Sequence, residues 1–392
     1  MNSPFDAIAA SMPATREAAL VRLANFVPHA GDAYAQWRNY DFGAGQHRAV
    51  SGLAPYIRHR LITEEDVVRA VLGQHSPQAA EKFIQEVYWR TYWKGWLEIR
   101  PSVWADYLDA LDQLGPPSAE AIAAMAGKTG IACFDHWANE LVETGYLHNH
   151  ARMWFASIWI FTLGLPWQWG ADFFMQHLLD GDPASNTLGW RWVAGLQTPG
   201  KTYLAQAENI ETFTQGRFKP AALRHGPAPT ASANPAAGAL PNADAAPDAP
   251  FLLLLTTEDL HPESLPLNCA HIAGLAGLMV DATGLSPRVA HFRVAALDDG
   301  MQRASLAFGR HGPILPAHDI AGHAQQLGVR HIVTAYAPIG PIATMLAQLA
   351  QACAQQGLKL HQVRRDWDST AWPLATKGFF PFRQHIPDLL PK

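Results

Sequence analysis

The chain has few cysteines and no long apolar run, and each absence excludes a class of protein. Only three of its 392 residues are cysteine. Cys133, Cys269 and Cys353 form no close-spaced cluster, which argues against a disulfide framework and against a structural zinc site. No apolar run approaches the roughly 20 residues needed to span a bilayer. The first residues, Met1-Asn-Ser-Pro-Phe-Asp, lack a basic region followed by an apolar stretch, so we expect a cytoplasmic protein without a secretory signal, membrane contact or metal.

Three parts of different composition follow one another along the chain. Residues 1–218 carry apolar residues at three- and four-residue spacing and no persistent strand-like alternation, which predicts an all-helical domain. Its clearest helices are predicted at 79–98 and 149–163. Residues 219–250 contain 12 Ala and 7 Pro among 32 positions. Such a stretch cannot bury enough surface to offset the ordering of the chain, so we expect a mobile, semi-extended linker.

The third part, residues 251–392, alternates between strand-like and helix-like patterns. Ala-rich helical patterns, such as 342–356, separate short apolar runs typical of buried parallel strands. These runs lie at 251–255, 289–294, 332–335 and 358–363. The alternation predicts a small Rossmann-like sheet with helices on both faces. We therefore expect a multi-domain fold, in which an all-α domain is followed by a small α/β domain.

Two segments of the helical part combine acids, amides and tryptophans in a way that a plain hydrophobic core does not require. The first reads Thr144-Gly-Tyr-Leu-His-Asn-His-Ala-Arg-Met153, and the second reads Asp180-Gly-Asp-Pro-Ala-Ser-Asn-Thr-Leu-Gly-Trp-Arg-Trp192. Such residues suit a redox-active aromatic cofactor. Together the segments resemble the flavin-cradling core of the DNA photolyase/cryptochrome family. The resemblance covers roughly residues 30 to 215.

The resemblance implies that the cofactor is FAD and that four residues surround its isoalloxazine ring. Arg152 and Asp180 correspond to the family's salt-bridged pair beside the ring. Asp182 corresponds to the acid at the pyrimidine edge, and Asn186 to the residue next to N5. A flavin that gains electrons develops negative charge at N1 and O2, so the charges and donors placed there set its potential. As an isolated pattern, Asp-Gly-Asp is more often a capped helix start.

The same resemblance assigns further FAD contacts. Tyr34, Arg90 and Asn149 match contact residues of the family. Ser51 and Leu53 lie in the segment that matches the phosphate cradle, which keeps only one of the family's three hydroxyl groups. Each lost hydrogen bond to a charged acceptor is worth about 1.5–3 kcal/mol. We therefore expect the affinity for the FAD pyrophosphate to be weakened.

Tryptophan is concentrated in the helical part. Of the 14 tryptophans in the chain, 12 precede residue 218. Packing of large side chains in a helical core is the simplest explanation for most of them. The resemblance places Trp190 and Trp167 at the inner two positions of the family's electron-transfer chain, although core packing remains an alternative for Trp167. The surface member has no clear counterpart, and Trp104 is the nearest candidate.

On the substrate side, the resemblance implies a cavity for a flipped cyclobutane pyrimidine dimer. Such a cavity needs aromatic walls that stack on the bases and an acid that hydrogen-bonds them. Glu86 matches the acid, and Trp89 and Trp192 match the two walls. Asn149 and Met153 match further cavity residues. Retention of all five residue types favours repair over a purely structural role.

The charge of the helical part argues against tight DNA binding. Residues 1–218 hold 16 Lys and Arg against 22 Asp and Glu. Because DNA binding draws much of its affinity from neutralised phosphates, we expect weakened binding to the duplex. A local basic band is the candidate for contacts with the DNA backbone. It consists of Arg58, Arg60, Arg90, Lys94, Arg191 and Lys201.

The α/β part resembles the family's antenna domain in three segments: the strand and loop that begin near Leu255, the strand near 327–336, and residues 376–383. In the family that domain precedes the flavin domain, whereas here it follows. The resemblance implies a changed domain order with a reduced antenna-like domain. An unrelated Rossmann-like module is the alternative, and the antenna chromophore stays unknown.

These observations predict a monomeric flavoprotein enzyme, a deoxyribodipyrimidine photo-lyase that repairs DNA under blue light. Reduced FAD would pass an electron to a flipped lesion, and damaged DNA would be the partner. The alternative is a cryptochrome-type photoreceptor that signals to a protein partner through flavin photoreduction. A third hypothesis is a light-independent flavin- or nucleotide-binding protein that uses the C-terminal sheet.

Overall fold

The first part of the chain is helical throughout in a computed structural model, which describes residues 12–391 except Arg48 and Ala222. A π-helical turn, Ile158–Thr162, follows the ninth of these helices. The helices are α1 Arg16–Phe26, α2 Asp32–Trp37, α3 Ala54–Arg58, α4 Glu64–Leu72, α5 Glu81–Glu98, α6 Ser102–Leu114, α7 Ala119–Met125, α8 Ala132–Thr144, α9 Asn149–Ser157, α10 Trp167–His177, α11 Pro183–Val193 and α12 Ala207–Phe213.

The second part alternates strands with helices. Its strands are β1 Phe251–Leu255, β2 Ile272–Leu278, β3 Ile314–Leu315, β4 His331–Ala335 and β5 Lys359–Val363. Its helices are α13 Pro287–Phe308, α14 Ala317–Gln326, α15 Pro341–Gln355, α16 Asp366–Ala371, α17 Phe379–Arg383 and α18 Ile386–Leu389.

All neighbouring strands of the described sheet run parallel, in the order β3-β2-β1-β4-β5. The central strand β1 is buried along its whole length, because helices cover both faces of the sheet. Its alternate residues belong to different cores. Leu253 packs into the core that includes α13, whereas Leu252 and Leu254 pack into the core that includes α14 and α15.

The strand predicted at 289–294 is wrong, because these residues lie in helix α13. Ser286 caps the helix by accepting a hydrogen bond from the Val289 N–H, and Pro287 occupies the first turn. Val289, Phe292 and Ala296 then fall at three- and four-residue spacing on the buried face. The second strand is β2 instead, a stretch rich in small residues that the apolar pattern did not reveal.

Residues 219–250 contain no described helix or strand, in keeping with their composition. Their backbone nevertheless forms hydrogen bonds with other parts of the chain at several points. The Gly226 N–H donates to the Phe161 carbonyl at 2.7 Å, and the Gly238 N–H donates to the Ile99 carbonyl at 2.8 Å. Near the far end, the Asp244 N–H donates to the Gln362 carbonyl at 2.9 Å. These contacts run against the expectation of a mobile linker.

Buried ion pairs join the helical part to the α/β part. The Arg58 guanidinium donates two hydrogen bonds of 2.7 Å to the carboxylate of Glu258. Nη2 of Arg60 lies 2.8 Å from both carboxylate oxygens of Asp368, and Nη1 donates to Asp259 at 3.3 Å. All five side chains are almost completely buried. The three acids lie just beyond the carboxyl end of β1 and in the first turn of α16, so this edge of the sheet contacts the helical part.

Helix α5 makes the apolar part of the same contact. Trp89 stacks on Phe379 of α17, with ring centroids 3.7 Å apart and planes 13° apart. A methyl group at Gly95 would lie 2.8 Å from the Cα of Trp372, so the close approach requires glycine. One hydrophobic core consequently contains residues from both parts. The division into domains at 1–218, 219–250 and 251–392 stays a prediction.

Acid should weaken the contact between the two parts. Arg365 and Arg60 outweigh the effect of burial and lower the pKa of Asp259 to about 2. Because this value lies below that of an unfolded aspartate, the stabilisation is complete above about pH 4 and is lost as the pH falls towards 2. We expect Asp259→Asn to lower the free energy of unfolding by roughly 2 kcal/mol at pH 7 and to flatten its decline between pH 5 and 2. Urea denaturation across this range measures both effects, and Asp248→Asn, at a 99% exposed side chain, is the control.

Candidate functional site

Helices α5, α9 and α11 carry most of the predicted site residues, and helical spacing groups them. Glu86 and Arg90 are four residues apart on α5, so they share a face one turn apart. Asn149, Arg152 and Met153 are related in the same way on α9. Helix α11 packs against both α5 and α9. The segments found in the sequence are thereby brought together.

Arg152 and Asp180 form the predicted ion pair. The two terminal nitrogens of Arg152 each donate a hydrogen bond of 2.9 Å to one carboxylate oxygen of Asp180, and Nε donates to the Leu147 carbonyl at 2.8 Å. Burial alone would raise the pKa of Asp180, but Arg152 and then Arg90 outweigh it and hold that pKa below its ordinary value. Asp180 is therefore a fixed negative charge that orients the guanidinium.

Asp182 lies in a cluster of cations that sequence reasoning did not connect to it. Its carboxylate caps α11 by accepting a 2.7 Å hydrogen bond from the Ser185 N–H. Oδ2 also lies 3.5 Å from Nε of Arg58 and 3.6 Å from both Arg90 and Lys94. Burial opposes ionisation, yet Lys94, Arg58 and Arg90 together keep the pKa of Asp182 well below its usual range. The carboxylate is charged and held in place from three sides.

The remaining residue predicted around the ring, Asn186, lies beside this cluster. Asn186 is on the first turn of α11, where its amide nitrogen donates to the Ala171 carbonyl at 2.8 Å and its amide oxygen is left to accept. The buried polar atoms without a hydrogen-bond partner among the described residues include Nη1 of Arg90, which lies 3.6 Å from Asp182, and the hydroxyl of Ser185. Buried polar groups are normally paired. Donors that lack a hydrogen bond beside these charges fit a polar cofactor such as FAD.

The residues near the predicted pyrophosphate site offer fewer polar groups to FAD. Tyr34 is buried against Phe83. The hydroxyl of Ser51 accepts a 3.3 Å hydrogen bond from the Leu53 N–H, and the Leu53 side chain is completely buried in the core. Leu53 therefore has only its backbone to offer to a cofactor.

The predicted lesion residues have different surroundings. Glu86 is half-buried and forms an ion pair with Arg38, yet burial dominates and raises the pKa of Glu86. Trp192 is partly buried and stacks on Tyr203 at 5.6 Å. Phe379 covers one face of Trp89. A base would need the opposite ring face, or Phe379 would have to move.

Asn149 and Met153 remain accessible on α9. Asn149 is exposed at the first position of the helix, and Met153 is partly buried one turn later. Both are thus free to contact a ligand, unlike the face of Trp89 that Phe379 covers.

The two predicted electron-transfer tryptophans are both buried. Trp190 meets Phe174 edge-on at 5.1 Å and has no hydrogen-bond partner for its indole N–H among the described residues. Trp167 stacks on Tyr107 at 5.5 Å, and Tyr107 lies 5.3 Å from the partly exposed Trp104. The aromatic path from Trp167 to the surface therefore includes a tyrosine that sequence reasoning missed.

The residues of the predicted basic band do not form a continuous surface that could contact the DNA backbone. Arg58, Arg60 and Lys94 are each at most 3% exposed and are committed to internal carboxylates. Arg191 donates to Asn234 of the 219–250 segment at 2.9 Å. Lys201 is exposed. The sequence does not reveal the buried carboxylates of Glu258, Asp368 and Asp182, which bind Arg58, Arg60 and Lys94 and lie far along the chain.

Comparison with known proteins covers the later portion of the helical part. Residues 83–218 match the family model described as the FAD binding domain of DNA photolyase. By this match, the chain contains a photolyase-type FAD-binding domain. Its photolyase-type domain includes α5, α9 and α11 and therefore most of the predicted cofactor contacts, and FAD is the cofactor of this domain. Tyr34, Ser51 and Leu53 precede the matched region.

Curated relatives are similar over part of their length. The chain is 33% identical to the deoxyribodipyrimidine photo-lyase of Streptomyces griseus over 151 residues, 38% of this chain and 33% of the relative. It is 30% identical to that of Escherichia coli K12 over 208 residues, 50% of this chain and 42% of the relative. A solved class III photolyase from Agrobacterium tumefaciens is 27% identical with a TM-score of 0.44, over 51% of this chain and 43% of the other. The chain thus spans less than half the length of these relatives.

Two further properties concern the described part of the chain. None of its helices is both long and apolar enough to cross a membrane. In the same residues, no three His, Cys, Asp or Glu side chains converge as they would around a metal ion.

Proposed function

We propose that this protein is a light-driven enzyme that repairs cyclobutane pyrimidine dimers. The observation that carries the proposal is that α5 presents Glu86 and Arg90 one turn apart, with Arg90 beside the acids of the flavin site. Bound FAD would supply the electron that splits the dimer. The side chains of this chain would bind and orient the lesion next to it.

Each proposed lesion residue has a separate task. Glu86, whose pKa is raised by burial and which pairs with Arg38, would hydrogen-bond the bases of the lesion. Trp192 would stack on one base, since its ring is partly accessible. Asn149 and Met153 would complete the wall formed by α9. The two inner tryptophans, Trp190 and Trp167, would carry an electron from the surface to the flavin through Tyr107 and Trp104.

The test separates lesion binding from cofactor binding. We expect Glu86→Ala and Trp192→Ala to lower the light-dependent loss of thymine dimers while FAD stays bound. Stacking on an aromatic side chain is worth about 1–3 kcal/mol per base, so Trp192→Ala should weaken lesion binding by roughly tenfold or more. Binding of a dimer-containing oligonucleotide at low salt and repair under blue light measure the two effects.

The matched control is Trp37→Ala, which removes a 37% exposed tryptophan that packs on Tyr40 and Phe42. It should leave lesion binding unchanged. Wild-type protein that binds FAD and is photoreduced, but neither binds nor repairs dimers, would contradict the enzyme proposal.

A photoreceptor is the second candidate, and two observations favour it. Phe379 covers one face of Trp89, and the arginines predicted to bind DNA, Arg58 and Arg60, are buried in internal ion pairs. In that case a change at the flavin would be passed to the α/β part and to a protein partner. Light-dependent changes in proteolysis within residues 219–250, without dimer repair, would support this function.

A further inference from the structure

One buried chain of contacts connects the α/β part to the flavin site. It begins at Glu258, three residues beyond β1, and passes through Arg58 at the end of α3. It ends at Asp182 and at the backbone that precedes α11. No other described cation of the cluster around Asp182 is bound by a bidentate carboxylate from the α/β part.

The geometry leaves Arg58 little freedom. Both terminal nitrogens are held by Glu258 at 2.7 Å, and Nε donates to the Gly181 carbonyl at 2.9 Å. The same Nε lies 3.5 Å from Oδ2 of Asp182. Arg58, Asp182 and Glu258 are all at most 5% exposed, so water does little to screen their charges.

We infer that Glu258 is a positioning residue, which acts through Arg58 on Asp182 and so sets the redox potential of FAD from the α/β part. The inference rests on FAD binding at this site and does not require DNA repair. Glu258 would touch neither the cofactor nor a substrate. Its role is to neutralise one cation of the cluster and to fix where that cation lies.

The sign of the effect follows from charge. Four cations surround the two site acids, namely Arg58, Arg90, Lys94 and Arg152, and Glu258 supplies a third negative charge. Despite burial, Arg58 and Lys94 hold the pKa of Glu258 below its ordinary value, so it is ionised at neutral pH. Removing its charge makes the site more positive. A reduced flavin is more negative than an oxidised one and is stabilised more by this change.

The experiment is to measure the midpoint potential of bound FAD in the full-length protein. We expect Glu258→Gln to move the potential in the positive direction and to change the ratio of the dissociation constants of oxidised and reduced FAD at least threefold. Glu258→Asp keeps the negative charge but moves it away from Arg58 by the length of one methylene group. The midpoint potential of FAD in this variant should therefore lie between those of the wild type and Glu258→Gln. If the glutamine variant does not fold, the aspartate variant carries the test.

The matched control is Asp368→Asn. It also removes one buried carboxylate from an arginine across the same interface, because Asp368 binds Arg60. Arg60 has no described contact with Asp180 or Asp182. This variant should lose stability without the shift in potential.

A double-variant cycle tests the route of the effect. In an Arg58→Met background, Glu258→Gln should shift the potential by less than half of its effect in the wild type. A potential that is the same in Glu258→Gln and Asp368→Asn would overturn the inference, as would full additivity with Arg58→Met. Wild-type protein that takes up no FAD would instead contradict the flavin site itself.

Discussion

Replacement of Asp180 by alanine is expected to release FAD and to leave the purified protein colourless. The two hydrogen bonds from Arg152 to Asp180 are 2.9 Å long and close together, so the pair behaves as one rigid unit. Loss of one partner leaves an uncompensated charge in a poorly solvated site, which costs about 3–5 kcal/mol. Part of this cost falls on folding, and the part that falls on cofactor binding should weaken FAD binding by roughly tenfold to a thousandfold. Titration of flavin fluorescence measures this loss.

Arg152→Lys sharpens the same prediction, because it keeps the charge and removes the planar fork that binds two oxygens. We expect its affinity for FAD to lie between those of the wild type and the alanine variant. Glu211→Ala is the control, since Glu211 pairs with Lys219 at an exposed site. Full occupancy by FAD in a folded Asp180→Ala variant would show that the pair does not contribute to the cofactor site.

The residues predicted for the centre of the site lie together in the structure because they are close in sequence. Asp180 and Asp182 adjoin one helix start, and Arg152 lies on a helix where Asn149 and Met153 share its face. Helical spacing fixes such relations before any tertiary structure is known. The capping role of Asp182 and its place in the charged cluster are both present in the structure, so the two interpretations of Asp-Gly-Asp are compatible.

Contacts between distant parts of the chain could not be predicted in this way. Arg58 and Glu258 are 200 residues apart, and Arg60 and Asp368 are 308 residues apart. The sequence does not show that Glu258 and Asp368 bind these two arginines, which were predicted to belong to a DNA-binding band. Only the tertiary structure pairs them. The strand predicted at 289–294 failed for a different reason, since a short apolar run does not distinguish a buried strand from the buried face of a helix.

Replacement of Arg60 should lower the stability of this protein strongly. Arg60 has a φ of 48°, in the left-handed region that non-glycine residues rarely adopt, and its guanidinium contacts Glu64, Asp259 and Asp368 in the buried interface. Arg60→Ala removes the cation and leaves Glu64 and Asp368 without it. We expect the free energy of unfolding to fall by about 3–5 kcal/mol, a large part of the total stability of a typical protein.

Arg60→Gly separates the charge from the backbone conformation. It loses the same ion pairs, but glycine adopts a positive φ at almost no cost, whereas an L-residue pays roughly 1–2 kcal/mol. The glycine variant should therefore be more stable than the alanine variant by about 1 kcal/mol, although both are much less stable than the wild type. Urea denaturation at pH 7 measures the order. If the alanine variant is at least as stable as the glycine variant, the left-handed conformation of Arg60 carries no strain. If either variant is as stable as the wild type, the buried cation does not hold the two parts together.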